Sequence, residues 1–181
     1  AGGAPINSWG VGTHMVTGGN ESSFTGVYKL AARHDKKLDK MMPAMKFSDN
    51  PAKTTNPGIK NVFRLYDSNG MASADILALE DENLETNKEY RFYHPMVDYR
   101  QFTCQAAKIE PLLKKRIENG ERIQNRIADC EQLKISRKNM QAQLETFDES
   151  YKRILNPHIY KVSLTEKLKD LKREFIEKNI N

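Results

Sequence analysis

The stretch NVFRLYDSNGMASADILALED, Asn61 to Asp81, decides how the middle of this chain folds. Val62 to Tyr66 is a short apolar run, Asp67-Ser68-Asn69-Gly70 is a turn, and Asp75 to Leu79 is a second run. Asn-Gly between two such runs is a strong local hairpin signal, because both residues tolerate the positive φ that a tight turn needs. The reading is therefore an antiparallel β-hairpin, with strands able to bury one face.

Working outward, Asp49 to Lys60 is dense in turn residues, and Asn56-Pro57-Gly58 suits a type II turn. Proline presets φ at the second position and glycine accepts φ > 0 at the third. Glu89 to Pro95 reads as a further strand and Gln101 to Gln105 as another. Upstream, Phe24 to Arg33 has β-type residues and reads as a strand, residues 34–44 as a lysine-rich exposed loop, and Ala44 to Ser48 as a short strand. Downstream the texture turns helical. From Glu121 to Leu155, apolar residues keep near-3.6 spacing, until Asn156-Pro157 breaks the pattern. A last helix begins around Ser163 to Thr165, with Leu164, Leu168, Leu171, Phe175 and Ile176 as its stripe. Both stripes predict core packing. Three segments follow: 1–48, 49–110 and 111–181.

The front of the chain poses a separate problem. In INSWGVGTHMVTGG, Ile6 to Gly19, an apolar approach from Pro5 to Trp9 runs into Gly10-Val11-Gly12-Thr13. Without Cβ atoms the backbone can come close to a ligand, and successive N–H groups can form a concave anion site. The threonine hydroxyl adds a donor, and a following helix would add its N-terminal amides. This chemistry suits a phosphate monoester; an ordinary turn is the competing reading. The loop has neither the lysine of a P-loop nor the third glycine of a dinucleotide fingerprint. His14 has no identifiable acidic partner and is not assigned as a base. No catalytic residue and no metal-ligand set is assigned in this chain.

Composition bounds the rest. The 181 residues are 38% hydrophobic and 29% charged, with a net charge of +5. Basic and acidic residues are interleaved; even Lys36-Lys37-Leu38-Asp39-Lys40 is interrupted by an acid. That pattern argues for a solvated surface over a nucleic-acid patch. No run approaches the ~18 apolar residues of a membrane span. Cys104 and Cys130 lie far apart without CxxC spacing, which predicts two reduced thiols in a cytoplasmic protein.

In order along the chain, INSWGVGTHMVTGG, FTGVYKL, MKFSDNPAKTTNPGIKNVFRLYD, ADILALEDE and NPHIYKVSLTEKLKDLK resemble the C-terminal portion of the nicotinate phosphoribosyltransferase family. The likeness is strongest over 5–82 and 156–172. It implies an α/β fold, α+β for a fragment: the end of a type II phosphoribosyltransferase irregular α/β barrel, outer-domain strands and a helical tail. It also implies a glycosyl transferase that makes nicotinate mononucleotide from nicotinate and phosphoribosyl pyrophosphate in NAD biosynthesis. That reaction is coupled, in a ligase-like way, to ATP hydrolysis through a phosphohistidine.

The resemblance places the 5-phosphate of the ribosyl donor on Gly10, Val11, Gly12 and Thr13. Lys46, Lys53, Lys60 and Arg64 match the family's basic segment and become candidate phosphate contacts; loop solvation is the alternative. The phosphohistidine and the nicotinate-contacting residues lie upstream of this motif in the family. None of His14, His34, His94 and His158 occupies the phosphohistidine motif. The chain is thus expected to be a C-terminal fragment, inactive alone and partnered by the rest of its enzyme in a homodimer. Mg2+ and ATP serve the intact enzyme, and neither is expected to bind this chain alone. Only the resemblance separates nicotinate from the quinolinate- and nicotinamide-using relatives. A basic nucleic-acid-binding module and a helical interaction module remain the alternatives outside the family.

Overall fold

The computed structural model describes residues 3, 5, 7, 8, 10–19, 26–50, 53–97, 99–123 and 127–180. Among these, the main sheet has six strands: β3 (Lys60–Tyr66), β4 (Ala72–Leu79), β5 (Glu89–Tyr93), β6 (Gln101–Gln105), β7 (Lys108–Pro111) and β10 (Val162–Leu164). Two smaller hairpins are β1 (Ala32–Asp35) with β2 (Lys40–Pro43), and β8 (Ile117–Glu118) with β9 (Glu121–Arg122). The helices are α1 (Thr13–Thr17), α2 (Asp129–Glu145) and α3 (Glu166–Ile180).

The predicted hairpin sits at the heart of the sheet. Register runs from Lys60↔Leu79 to Tyr66↔Ala72, with a bulge at Leu65/Tyr66. Asp67 organises the turn: its Oδ1 accepts the amides of Asn69 and Met71, each at 2.9 Å, and Gly70 takes φ 77°. Strand order is β6-β5-β10-β4-β3-β7, antiparallel except for β10 beside β4. The two outermost strands, β6 and β7, are joined by only Ala106 and Ala107, so the sheet must curl until its edges nearly meet. This is a mixed half-barrel. Its interior is Leu65, Ala74, Ile76, Phe92 and Ala106, all nearly inaccessible to water. Ala72, Ala74, Ile76 and Ala78 share one face of β4 by the two-residue period of a strand, and the small alanines permit the tight curl.

The stripe of α3 behaves as predicted: Leu168 is fully buried and Leu171, Phe175 and Ile176 are partly buried. Thr165 joins β10 to α3. Its hydroxyl donates to Glu82 Oε2 (2.8 Å) and accepts the Leu168 amide (3.4 Å). The same Glu82 oxygen accepts the Leu79 amide at 2.7 Å. The positive φ expected at Gly58 is also borne out. Gly58 has φ 82°, and a Cβ there would lie 2.9 Å from Leu79 Cδ2.

Several expectations fail. The helix predicted over Glu121 to Leu155 is confined to Asp129–Glu145, and none of its residues is buried. Leu133 is 70% exposed, so its apolar positions do not pack into the core. The helix stops where Asp148 Oδ1 accepts the Ser150 amide and starts a separate 3-10 turn, Glu149–Tyr151. Residues 34–44 are not one loop: 34–43 lie within the β1–β2 hairpin, and only its turn, 36–39, is loop, closed by Asp35 Oδ1 accepting the amides of Lys37 and Leu38 and by Asp39 at φ 47°. Residues 44–48 form no strand. Of the strand read over Phe24 to Arg33, Phe24 and Thr25 lie outside the described residues, 26–31 are irregular, and pairing starts only at Ala32. In the Pro5–Trp9 approach, Pro5, Asn7 and Ser8 are not in a strand; Ile6 and Trp9 lie outside the described residues. Strand β10 was hidden in the start of the last helix, and it places residues 162–164 between β4 and β5, so the segments 49–110 and 111–181 share one sheet.

Candidate functional site

Gly10, Val11, Gly12 and Thr13 all lie on the surface, with Val11 53% exposed. Gly12 precedes α1 in extended backbone, φ −88° and ψ 174°, which any residue adopts. A Cβ at Gly10 or Gly12 would meet nothing within 4 Å. Nothing described in this chain therefore demands glycine at either position. The turn after the loop is different. Gly18 and Gly19 take φ 70° and 55°, and a Cβ at Gly19 would stand 3.3 Å from His14 Nδ1. Locally, the Met15 amide donates to Gly12 O (3.1 Å) and Thr17 Oγ1 donates to Thr13 O (3.0 Å).

The four basic candidates divide into two pairs. Lys46 and Lys53 are exposed on a looped segment held by the Lys46 amide on Thr55 Oγ1 (2.9 Å) and the Lys53 amide on Asn50 O (2.9 Å). Lys60 and Arg64 are turned to internal partners. The Lys60 ammonium donates to the carbonyls of Asn56 (2.9 Å), Pro57 (3.3 Å) and Gly58. Burial lowers its pKa. No hydrogen bond or ion pair among the described residues joins any of the four to Gly10–Thr13.

Arg64 is the centre of the most ordered polar cluster. The register of the hairpin sets it opposite Asp75. Its Nε and Nη2 donate to the two Asp75 oxygens, each at 2.8 Å, and Nη1 donates to Gln143 Oε1 at 2.7 Å. The guanidinium lies 4.8 Å from the Phe147 ring centroid. Tyr160 donates to Asp75 Oδ1 (3.0 Å), and its ring meets Phe147 edge-on at 5.0 Å. The hydrogen bonds to Asp75 raise the Arg64 pKa despite burial, and burial foremost raises that of Tyr160. Such a bidentate, enclosed pair ties the end of α2 to the sheet. It holds the fold together and leaves this guanidinium bonded within the chain. Sequence reasoning missed the pair, although counting back equally from the Asn-Gly turn brings the two residues face to face.

Among the described residues no group of three His, Cys, Asp or Glu stands close enough to hold a metal ion. No described helix is long and apolar enough to cross a membrane.

The curled mixed sheet with α3 against it matches a solved structure, that of human nicotinic acid phosphoribosyltransferase. The TM-score is 0.59 at 28% identity, covering 67% of this chain and 24% of that one. This places the fold in the α/β class of the phosphoribosyltransferase's C-terminal part. The family model described as the nicotinate phosphoribosyltransferase C-terminal domain matches residues 59–172, and the chain belongs to that family. Among curated relatives, the nicotinate phosphoribosyltransferase of Bacillus subtilis is 35% identical over 167 residues, 91% of this chain and 32% of its own. The human enzyme is 33% identical over 173 residues, 93% of this chain and 30% of its own. The chain thus spans about a third of the length of these relatives.

Proposed function

We propose that this chain is the C-terminal portion of a nicotinate phosphoribosyltransferase, which joins nicotinate to phosphoribosyl pyrophosphate to give nicotinate mononucleotide and pyrophosphate with ATP hydrolysis. The observation that carries the reading is collinearity. Similarity to enzymes of that name runs through more than nine-tenths of the chain.

Within that reading, Gly10, Val11, Gly12 and Thr13 hold the 5-phosphate of the donor. The supporting geometry is their exposure, and the open space beside both glycines lets an anion approach the main chain. A phosphate held far from the reacting carbon supplies binding energy that positions the sugar. Lys46 and Lys53, exposed, are the basic residues suited to a second phosphate contact. Lys60 and Arg64 act instead as internal supports of the sheet. In this reading Mg2+ and ATP belong with the remainder of the enzyme. The proposed setting is a cytoplasmic homodimer in which this chain meets the rest of its enzyme.

The test is to assay nicotinate mononucleotide formation by the purified 181-residue chain, alone and fused behind the first two-thirds of the Bacillus subtilis relative. The isolated chain should be inactive and the fusion active. Turnover by the isolated chain, or a folded fusion without activity, overturns the proposal.

A further inference from the structure

A cleft of ≈ 600 Å³ lies between α3, the residues Phe47, Ser48 and Thr54, and the turn that follows β5. That volume falls in the range of small-molecule sites. One wall is apolar: Phe47, Met96 and Ile176, of which Phe47 and Met96 remain 39% and 55% exposed. The other wall carries Lys169, Lys172 and Arg173, which the helical spacing puts on one side of α3.

These cations are held in place by contacts of their own. Lys172 Nζ donates to Pro95 O at 2.8 Å, Lys169 Nζ stands 4.1 Å from the Tyr93 ring centroid, and Arg173 Nη2 reaches Asp170 Oδ1 at 2.9 Å. His94 adds a donor. Its Nδ1 accepts the amides of Met96 (3.2 Å) and Val97 (3.1 Å), so the neutral ring carries its proton on Nε2. Glu177 is the one carboxylate among the lining residues. A neighbouring cleft of ≈ 640 Å³ has the opposite character, with Glu82, Glu89, Glu166 and Asp170 against Arg91 and Lys167. The positive sign is therefore built at this cleft and is not simply the chain's overall charge.

We infer that this cleft binds a small organic anion: an apolar, ring-sized body against Phe47, Met96 and Ile176, carrying a phosphate or carboxylate toward Lys169, Lys172 and Arg173. The inference stands whether or not Gly10–Thr13 holds a phosphate. Apolar contact and opposite charge must act together, because exposed cations alone bind simple anions weakly.

Titration of the 181-residue chain, followed by amide NMR shifts, tests it with four probes: phenyl phosphate, benzoate, inorganic phosphate and benzyl alcohol. At least one aromatic anion should saturate, shifting Phe47, Met96 and Lys172, and comparison of the first two decides between phosphate and carboxylate. Inorganic phosphate and benzyl alcohol should each bind at least ~10-fold more weakly, since each supplies only one of the two contacts. The double variant K169Q/R173Q should lose at least ~10-fold in affinity. M96D, a change at an exposed turn residue, should do the same without touching α3. The inference is overturned if neither aromatic anion saturates, if inorganic phosphate binds as well as the better one, if the shifts fall elsewhere, or if M96D binds unchanged.

Discussion

In the curled sheet, Leu65, Ala74, Ile76 and Phe92 are at most 1% exposed; in the residues before it, Tyr28 is 99%, Val16 84% and Met15 78% exposed. The first region finds its partners inside the chain: cross-strand registers, the Arg64–Asp75 pair, and Thr165 on Glu82. The second has apolar side chains of similar type and few described contacts. The difference teaches where the information for each region resides. Apolar residues stabilise only what covers them, so the sheet is specified by the residues that pack on it, whereas Met15, Val16 and Tyr28 have no such cover among the described residues.

The comparison breaks first at the core. Ile76→Ala should cost about 4 kcal/mol in urea unfolding, while Tyr28→Ala should stay within about 0.5 kcal/mol. Equal costs would mean that the sheet is not the stable unit. Next comes the enclosed ion pair, whose side chains are only 10% and 16% exposed. Arg64→Ala should destabilise by about 3 kcal/mol, because Asp75 is left enclosed without its cation. A cycle with Asp75→Asn should show strong coupling; additive effects would deny the pair its role. Gly58→Ala follows at about 1–2 kcal/mol, from a positive φ and a Cβ pressed on Leu79. Gly12→Ala, in open space at an ordinary φ, should leave stability unchanged, which sharpens the same contrast at two glycines.

The smallest loss predicted from a broken contact concerns pH. Tyr66 donates to Glu110 Oε2 at 2.8 Å, and this bond, with Lys108 beside it, holds the Glu110 pKa below its ordinary value. Stability from a depressed carboxylate is present above the unfolded value of ~4.3 and disappears as pH falls through the folded one. Tyr66→Phe should therefore reduce stability at pH 6 more than at pH 3. Glu110 is a third exposed, so the difference should stay below about 1 kcal/mol in paired urea titrations. An equal loss at both pH values would assign the effect of Tyr66 to packing.

The hairpin, the positive φ at Gly58 and the stripe of α3 were legible because each rests on local chemistry: positive-φ residues or a helical period. What failed depended on distant partners. The apolar positions of α2 have helical spacing, yet period alone does not say whether another element covers them. Val162–Leu164 is too short to announce itself, and becomes a strand through the backbone of β4 and β5. The internal partners of Lys60 and Arg64, three carbonyls and the Asp75 carboxylate, were likewise not visible, because a sequence shows charge but not what folds against it. The α3 cations of the cleft were readable as 169, 172 and 173 on one side, but the opposing Phe47 and Met96 were not.

The central claim, a donor phosphate held by the main chain at residues 10–13, is met most directly by replacing Gly12 with valine in the active fusion and measuring kcat/KM for phosphoribosyl pyrophosphate. Because this position has open space within the chain, the fold should survive, and kcat/KM should fall at least ~10-fold as the side chain fills the anion's place. An unchanged kcat/KM in a folded valine variant would contradict the account.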